Sequence, residues 1–426
     1  MAPHKFLCGV RASRPRWLLQ DGGVDKVMEV TGIRGPLEGI RVLDFSQFMA
    51  GPMAARHLAD YGADVIKVEA PPKGEGSRYA SASNFTVAGE RIAFLAANRN
   101  KRSMVLNLKT AQGIEIARRL VKTADVMIEN FRPGVMDRLG LGYDTVISIN
   151  DNVIYGTITG YGPEGPYRDF PGQDLLVQCL SGLAWLNGRA GDPPIAVGLP
   201  MVDSVAGQQL ALGIVAALFE RQKSGKGQRV GVSLLDVAID LQAQEFTTYL
   251  NCDSEPQRSV AGIADAYFRA PYGIYETKDG YLALAHTPMA KLAMCLGLPE
   301  LEKYTDLEAA FRDRDEIYRT LAGAFRTRTT QGWLDYLRPL DFWCGPVQTY
   351  SQVAKDEQLR INQMVVEIPY KGSVPLRLPG IPIKFSRTPG SVRHCPPGLG
   401  ENTDQILSEL GFSQEGIAEL REDAVI

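Results

Sequence analysis

Two residue patterns that could do chemistry overlap in one stretch, GYGPEGPYRDFPGQDLLVQCLSG, from Gly160 to Gly182. Its first six residues have the spacing G-x-G-x-x-G, which in a strand-turn-helix setting lays a pyrophosphate against a helix N-terminus. Its GQD triplet puts Asp174 between a glycine-bounded loop and an apolar run. With an ordinary pKa of about 4, a carboxylate is anionic at neutral pH and can attack an activated acyl group without a partner base. It needs access and donors for the charge that develops, which a slim backbone at Gly172 and the amides opening the next helix can supply. The competing employment for Asp174 is to cap the helix LLVQCLSGLAWL, a common use of aspartate.

The dinucleotide reading fails on context. The fingerprint belongs in the first strand-to-helix turn, and that turn here reads SQFMAGP, with one glycine and a proline. The match at Gly160 follows a late strand and runs into PYRDFPG, which cannot open a helix at the required place. Metal chemistry has no motif either: the six cysteines, at 8, 179, 252, 295, 344 and 395, form no C-x-x-C pair, and the four histidines form no H-E-x-x-H. They read as reduced thiols in a cytoplasmic-type compartment, with Cys179 a small core residue; His57 and His286 read as packed or surface groups.

A net charge of -3 with 45% hydrophobic residues describes a soluble chain without the global charge that attracts nucleic acid, so any anionic ligand must be met locally. The longest apolar run, Leu210 to Phe219, is bounded by glutamines and by ERQKSGKGQR; it is too short for a bilayer and reads as a buried helix. Lys5, Arg11, Arg14 and Arg16 lie among 20 residues with no acid. That faintly resembles a mitochondrial-type transit segment, against the plainer reading of an N-terminal extension to a cytoplasmic protein.

The elements that must position Asp174 follow from hydrophobic period. RVLDFS, ADVIKVE, SMVLNL, DVMIENF and NVIYGTITGYG read as buried strands, with MAARHLADYG and GIEIARRLVKTA as helices between them: an α/β fold around a parallel sheet. QRVGVSLLDVAIDLQ is also strand-like. YGIYETKDGYLALAH and charged helices beyond it belong to a smaller α+β domain. The expected organisation is an extension over 1–35, a large domain over 36–225, a linker over 226–261, the small domain over 262–340, and a linker with return to the large domain over 341–426.

GPLEGIRVLDFSQFMAGPMAARHLADYGADVIKVEAP, NRNKRSMVLNLKT, ADVMIENFRPGVMDRLGLGYD, the Gly160 stretch and GENTDQILSELG occur in this order, and the combination resembles the class III CoA-transferase family over about residues 36–426. The resemblance implies a Rossmann-like large domain, a smaller α+β domain and an interlocked, ring-like homodimer. It implies CoA transfer from an acyl-CoA donor, succinyl-CoA by default, to a carboxylic acid, by a ping-pong mechanism through an aspartyl-CoA thioester on Asp174. CoA is then a substrate and no cofactor is permanently bound. Arg99, Lys101 and Arg102 are candidate phosphate cations. By the same resemblance Leu106 and Lys109 flank the adenine and its ribose, and Asn130, Phe131 and Arg138 line the CoA groove. Gln47, Met49, Ala50, Gly172 and Gln173 are candidates for the acyl pocket and oxyanion site, with Trp185, Asn187 and Arg189 at its margin. Ala70 stands where some members carry a phosphate-binding arginine.

The same fold serves α-methylacyl-CoA racemases, whose loop has histidine directly before the aspartate. Here that residue is Gln173, and an amide cannot exchange an α-proton as an imidazole can. Asp203, where racemases keep a second carboxylate, reads as a helix N-cap. The loop SVAGIADAYFRAP has one glycine, Gly262, where oxalate-specific members carry a run of them, which points to a larger acid than oxalate.

Overall fold

The computed structural model describes residues 35–80, 84–372 and 374–426. The expected extension and its basic residues Lys5, Arg11, Arg14 and Arg16 lie outside that range, apart from residue 35. Six strands form the central sheet: β1 (Arg41–Asp44), β2 (Asp64–Glu69), β3 (Lys101–Val105), β4 (Val126–Glu129), β5 (Ile154–Thr159) and β6 (Gln228–Ser233). Of these, β4 and β5, covered on both faces, are wholly buried, as parallel strands inside a sheet are, whereas β6, at the edge, is half exposed. Their order is β3-β2-β1-β4-β5-β6 and every pair is parallel. The chain winds outward from β1 in one direction, then restarts beside β1 at β4 and winds the other way. Crossovers therefore diverge at the carboxyl ends of β1 and β4 and leave a crevice there, where ligands of doubly wound folds bind.

Alternate residues of each strand feed two cores. Val42, Val65, Val126 and Ile154 pack under α1 (Ala50–Asp60), α4 (Met201–Ser224) and α5 (Leu234–Asp240). Their sequence neighbours Leu43, Ile66, Met127 and Tyr155 pack under α2 (Ala111–Val121), α6 (Thr403–Glu409) and α7 (Gln414–Glu422). The remaining labelled helix, α3 (Asp174–Leu180), joins the first core through Val177. Local signals explain the boundaries: Thr110 Oγ1 accepts the Gly113 amide at 3.0 Å to open α2, and Gly225, at φ 72°, closes α4 in the left-handed conformation.

The stretch over 263–344 builds a separate core of Tyr275, Leu282, Ile317, Phe325 and Trp333. Its sheet is antiparallel, with β8 (Tyr281–Leu284) between β7 (Gly273–Glu276) and β9 (Cys344–Pro346).

Three boundaries differ from expectation. Residues 226–261, expected to be a linker, hold β6, α5 and the helix Ala243–Cys252. QRVGVSLLDVAIDLQ is a strand only as far as Ser233, whose Oγ accepts the Asp236 amide at 3.0 Å and turns the rest into α5. The small sheet takes β9 from beyond residue 340. The apolar run at Leu210 to Phe219 is also part of a longer element: α4 has 24 residues and, by length and composition alone, is the one helix among the described residues that could cross a membrane. One of its faces, with Ala206, Leu210 and Ile214, is core.

Candidate active site

Loops at the carboxyl edge of the sheet carry the candidate residues. After β1 the chain turns through Ser46, Gln47 and Phe48 into α1. Gln47 is tied across the crevice to the end of β4: its amide donates to Asn130 Oδ1 at 2.7 Å and its carbonyl accepts from Asn130 Nδ2 at 2.8 Å. Met49 is half-buried at the N-cap of α1, and Ala50 is core. Phe48 has a φ of 63°, uncommon for a bulky residue, and its half-exposed ring packs on Gly76, where a Cβ would lie 2.3 Å from the ring. Phe131 is half-buried, while Lys109 and Arg138 are exposed.

The loop after β5 brings in Asp174. Gly160 and Gly172 meet backbone to backbone: a Cβ on Gly172 would lie 2.4 Å from the Gly160 Cα, and one on Gly160 would lie 2.6 Å from the Gly172 Cα. Gly160, the first glycine of the spacing that resembles a dinucleotide fingerprint, therefore serves this crossing. Gln173, exposed, is the N-cap of α3 without a side-chain cap bond, and Asp174 is the first helical residue.

Asp174 is 6% exposed and both its oxygens are held. Oδ1 accepts from Gln178 Nε2 at 2.5 Å, and Oδ2 accepts from the main-chain amide of Asp203 at 2.9 Å. That amide lies in the first turn of α4, where helix donors have no intrahelical partner. Asp174 thus satisfies the start of α4 instead of capping α3. Asp203, expected as an N-cap, sits inside that turn; Pro200 is the cap residue. Burial, and then the charge of Asp174, push the Asp203 carboxyl up to about 7. Cys179, expected in the core, is exposed.

The cation-rich segment NRNKRS is placed differently from the phosphate contacts expected of it. Arg99 is 1% exposed, with Nε and Nη2 on Asp60 at 2.9 and 2.7 Å and Nη1 on the Pro379 carbonyl. Lys101 is buried on Asp44 (2.8 Å), the Pro52 carbonyl and Asn98. Burial pushes Lys101 down to about 8; it also opposes the charge on Asp44, but Lys101 and Lys67 more than offset this and hold that carboxyl at about 2. Arg102 bridges Asp64 and Glu409, and Leu106 is core. Each of these cations is committed to a buried or part-buried carboxylate, because a charge taken out of water must be paired.

Asn187 and Arg189 line a cavity of about 740 Å³ with Gly262, Tyr318, Arg319 and Arg326; Asp174 is not among its walls. Trp185 stacks under Arg258 at 4.9 Å. His57 is half-buried, and burial holds it down at about 4. Gln178 was not anticipated from sequence, although its position one turn after Asp174 is visible there.

The sequence profile described as CoA-transferase family III matches residues 37–403. A mouse protein named succinyl-CoA:glutarate CoA-transferase is 33% identical over 390 residues, covering 90% of this chain and 88% of its own. A formyl-CoA:oxalate CoA-transferase of Rhodopseudomonas palustris is 32% identical over 420 residues, covering 92% and 97%. The crystal structure of a CAIB/BAIF family protein from Brucella suis superposes with a TM-score of 0.78 at 32% identity, covering 88% of this chain and all of that one. With a parallel sheet, a switch-point crevice and an aspartate at its edge already in place, this chain belongs to CoA-transferase family III and is an acyl-CoA:carboxylate CoA-transferase.

Proposed function

We propose that Asp174 is the nucleophile of a ping-pong exchange, and the observation that carries this is its carboxylate, nearly buried at the carboxyl edge of the sheet and fixed by two donors. One oxygen attacks the thioester carbonyl of the donor, the C–S bond breaks, and CoA leaves as thiolate with the electron pair. The thiolate then adds to Asp174 Cγ and expels the donor acid as carboxylate, leaving an aspartyl-CoA thioester. The acceptor acid runs these steps in reverse, so the thioester energy is carried through covalent intermediates. CoA lies across the ends of β1 and β4, with Asn130, Phe131, Arg138 and Lys109 toward it. Gln47, Met49 and Gly172 border the acyl group.

Succinyl-CoA with a dicarboxylic acceptor is the pair we favour, which the name of the mouse relative supports. A racemase would need a base where this chain has Gln173. The chain also pairs with a second copy as interlocked rings, a reading supported by its path out of the large domain and back.

Succinyl-CoA without acceptor should add CoA, as a thioester, to the peptide carrying Asp174, read by mass spectrometry. Asp174→Asn and Asp174→Ala should bind CoA, form no adduct and lose at least about 10³-fold in turnover. More than a tenth of wild-type turnover in Asp174→Ala would overturn the assignment.

A further inference from the structure

Gln178 is 1% exposed and lies on α3 one turn after Asp174. Its orientation is dictated by its partners. The main-chain amide of Val197 can only donate, and it donates to Gln178 Oε1 at 2.8 Å. The NH₂ group must therefore face the other way, and it meets Asp174 Oδ1 at 2.5 Å. The two oxygens of Asp174 are held unequally. Oδ1 is held by a side chain of its own helix; Oδ2 is held by an amide at the start of α4.

In the resting carboxylate these bonds are anchors. During turnover, however, Asp174 Cγ is itself attacked, and each attack moves a full negative charge onto the oxygen that stays. A donor already in place against that oxygen, in a site with little water, stabilises the intermediate without reorganising.

We infer that the Gln178 amide is the oxyanion donor for Asp174 itself, holding Oδ1 as the retained oxygen while Oδ2 is the one that bonds the acyl group. The inference rests on Asp174 being the nucleophile and adds how its own carbonyl is activated. Oδ2 bonds the acyl carbon as the C–S bond breaks. The thiolate then bonds Cγ and the π electrons move to Oδ1. Collapse breaks Cγ–Oδ2, and the donor acid leaves carrying Oδ2. The acceptor carboxylate adds to Cγ, charges Oδ1 again and expels the thiolate, which then takes the acyl carbon, so that an acceptor oxygen becomes the new Oδ2.

Gln178→Met keeps length and volume and removes the donor. Mixed with succinyl-CoA and quenched at intervals, it should form the Asp174 adduct on the order of 10²-fold more slowly than wild type, with CoA affinity by calorimetry unchanged. Gln178→Glu can still accept the Val197 amide but donates to Oδ1 only when protonated, so its turnover should move to lower pH. A packing role would leave the profile where it was. If Gln178→Met does not fold by circular dichroism, the Gln178→Glu profile decides. Adduct formation in Gln178→Met within threefold of wild type, or a wild-type pH profile in Gln178→Glu, overturns the inference and leaves the nucleophile standing. An active wild type that never forms an adduct overturns the nucleophile.

Discussion

Asp203 holds Asp174 with its amide while its own carboxyl shares that corner, and the cost of this arrangement depends on pH. The folded value of about 7 lies above the ordinary value of 3.8. Below about pH 4 both folded and unfolded chains carry the proton and the group is neutral in its effect. As pH rises toward 7 the unfolded chain ionises first, so the folded state loses stability relative to it, and the loss is complete above the folded value. Asp203→Asn cannot ionise. It should therefore be more stable than wild type at pH 8, by on the order of 1–2 kcal/mol after allowing for partial solvation, with the gap closing toward pH 4. Thermal unfolding at the two pH values checks this; a gap of constant size would mean that Asp203 holds no proton. At this scale the sequence carried residue types better than partners. Asp174 could be found by its loop and its chemistry. Its two donors could not, since the Asp203 amide arrives from another helix and Gln178 is oriented by Val197, 19 residues along the chain.

Strands β1, β2, β4 and β5 carry apolar residues in runs bounded by turns, and were readable for that reason; β3 opens on Lys101 and Arg102 and was readable only at its apolar end. The failures have one physical form: a polar contact supplied by the fold outweighed the local pattern. Ser233 caps α5 inside what looks like a strand, and NRNKRS, which looks like a phosphate site, is spent on Asp60, Asp44 and the returning chain. The crossing of Gly160 and Gly172 is the element-scale feature most tightly bound to function. Both glycines lie outside the left-handed region, so space and not conformation excludes a side chain. Gly172→Ala must push the loop off the end of β5, and the start of α3 moves with it. We expect about 1–3 kcal/mol of destabilisation, typical of overpacking, and a loss of turnover on the order of 10²-fold, because a displacement of about 1 Å at a nucleophile has that effect. Turnover and unfolding measured on the same preparation separate the two; a variant as active as wild type would show that the loop absorbs the methyl group elsewhere.

The path of the whole chain explains why NRNKRS is built as it is. After the helix Ala243–Cys252 the chain builds the core around Tyr275 and then comes back through residues 365–426, where it meets the segment around Arg99. Asn100 gives its amide to the His394 carbonyl (3.0 Å) and its Nδ2 to the Ser391 carbonyl (2.9 Å), and accepts from the Arg393 amide (2.6 Å). Arg102 reaches Glu409, and the Ser103 amide reaches Asn402 (3.0 Å). The returning chain is thus held by a clasp of hydrogen bonds and ion pairs. Meanwhile α4 turns Leu212 (70% exposed) and Phe219 (61%) outward, apolar surface of the kind that marks an interface. If two chains are linked as rings, subunits can part only after a clasp opens, which is a partial unfolding event, whereas an ordinary isologous dimer parts on dilution. Sedimentation at nanomolar protein should therefore show no folded monomer, and wild-type dimers carrying two different tags should not exchange subunits over hours. Asn100→Ala keeps the main-chain bond to His394 but removes the Nδ2 donor and the Oδ1 acceptor from the clasp, at about 1–3 kcal/mol, so exchange should become measurable while the dimer still forms. Exchange at the same rate in both would place the barrier elsewhere. A reversible monomer with native circular dichroism would rule the linked rings out, and α4 would then need another occupant for its outer face, a membrane surface included, which flotation with lipid vesicles would detect.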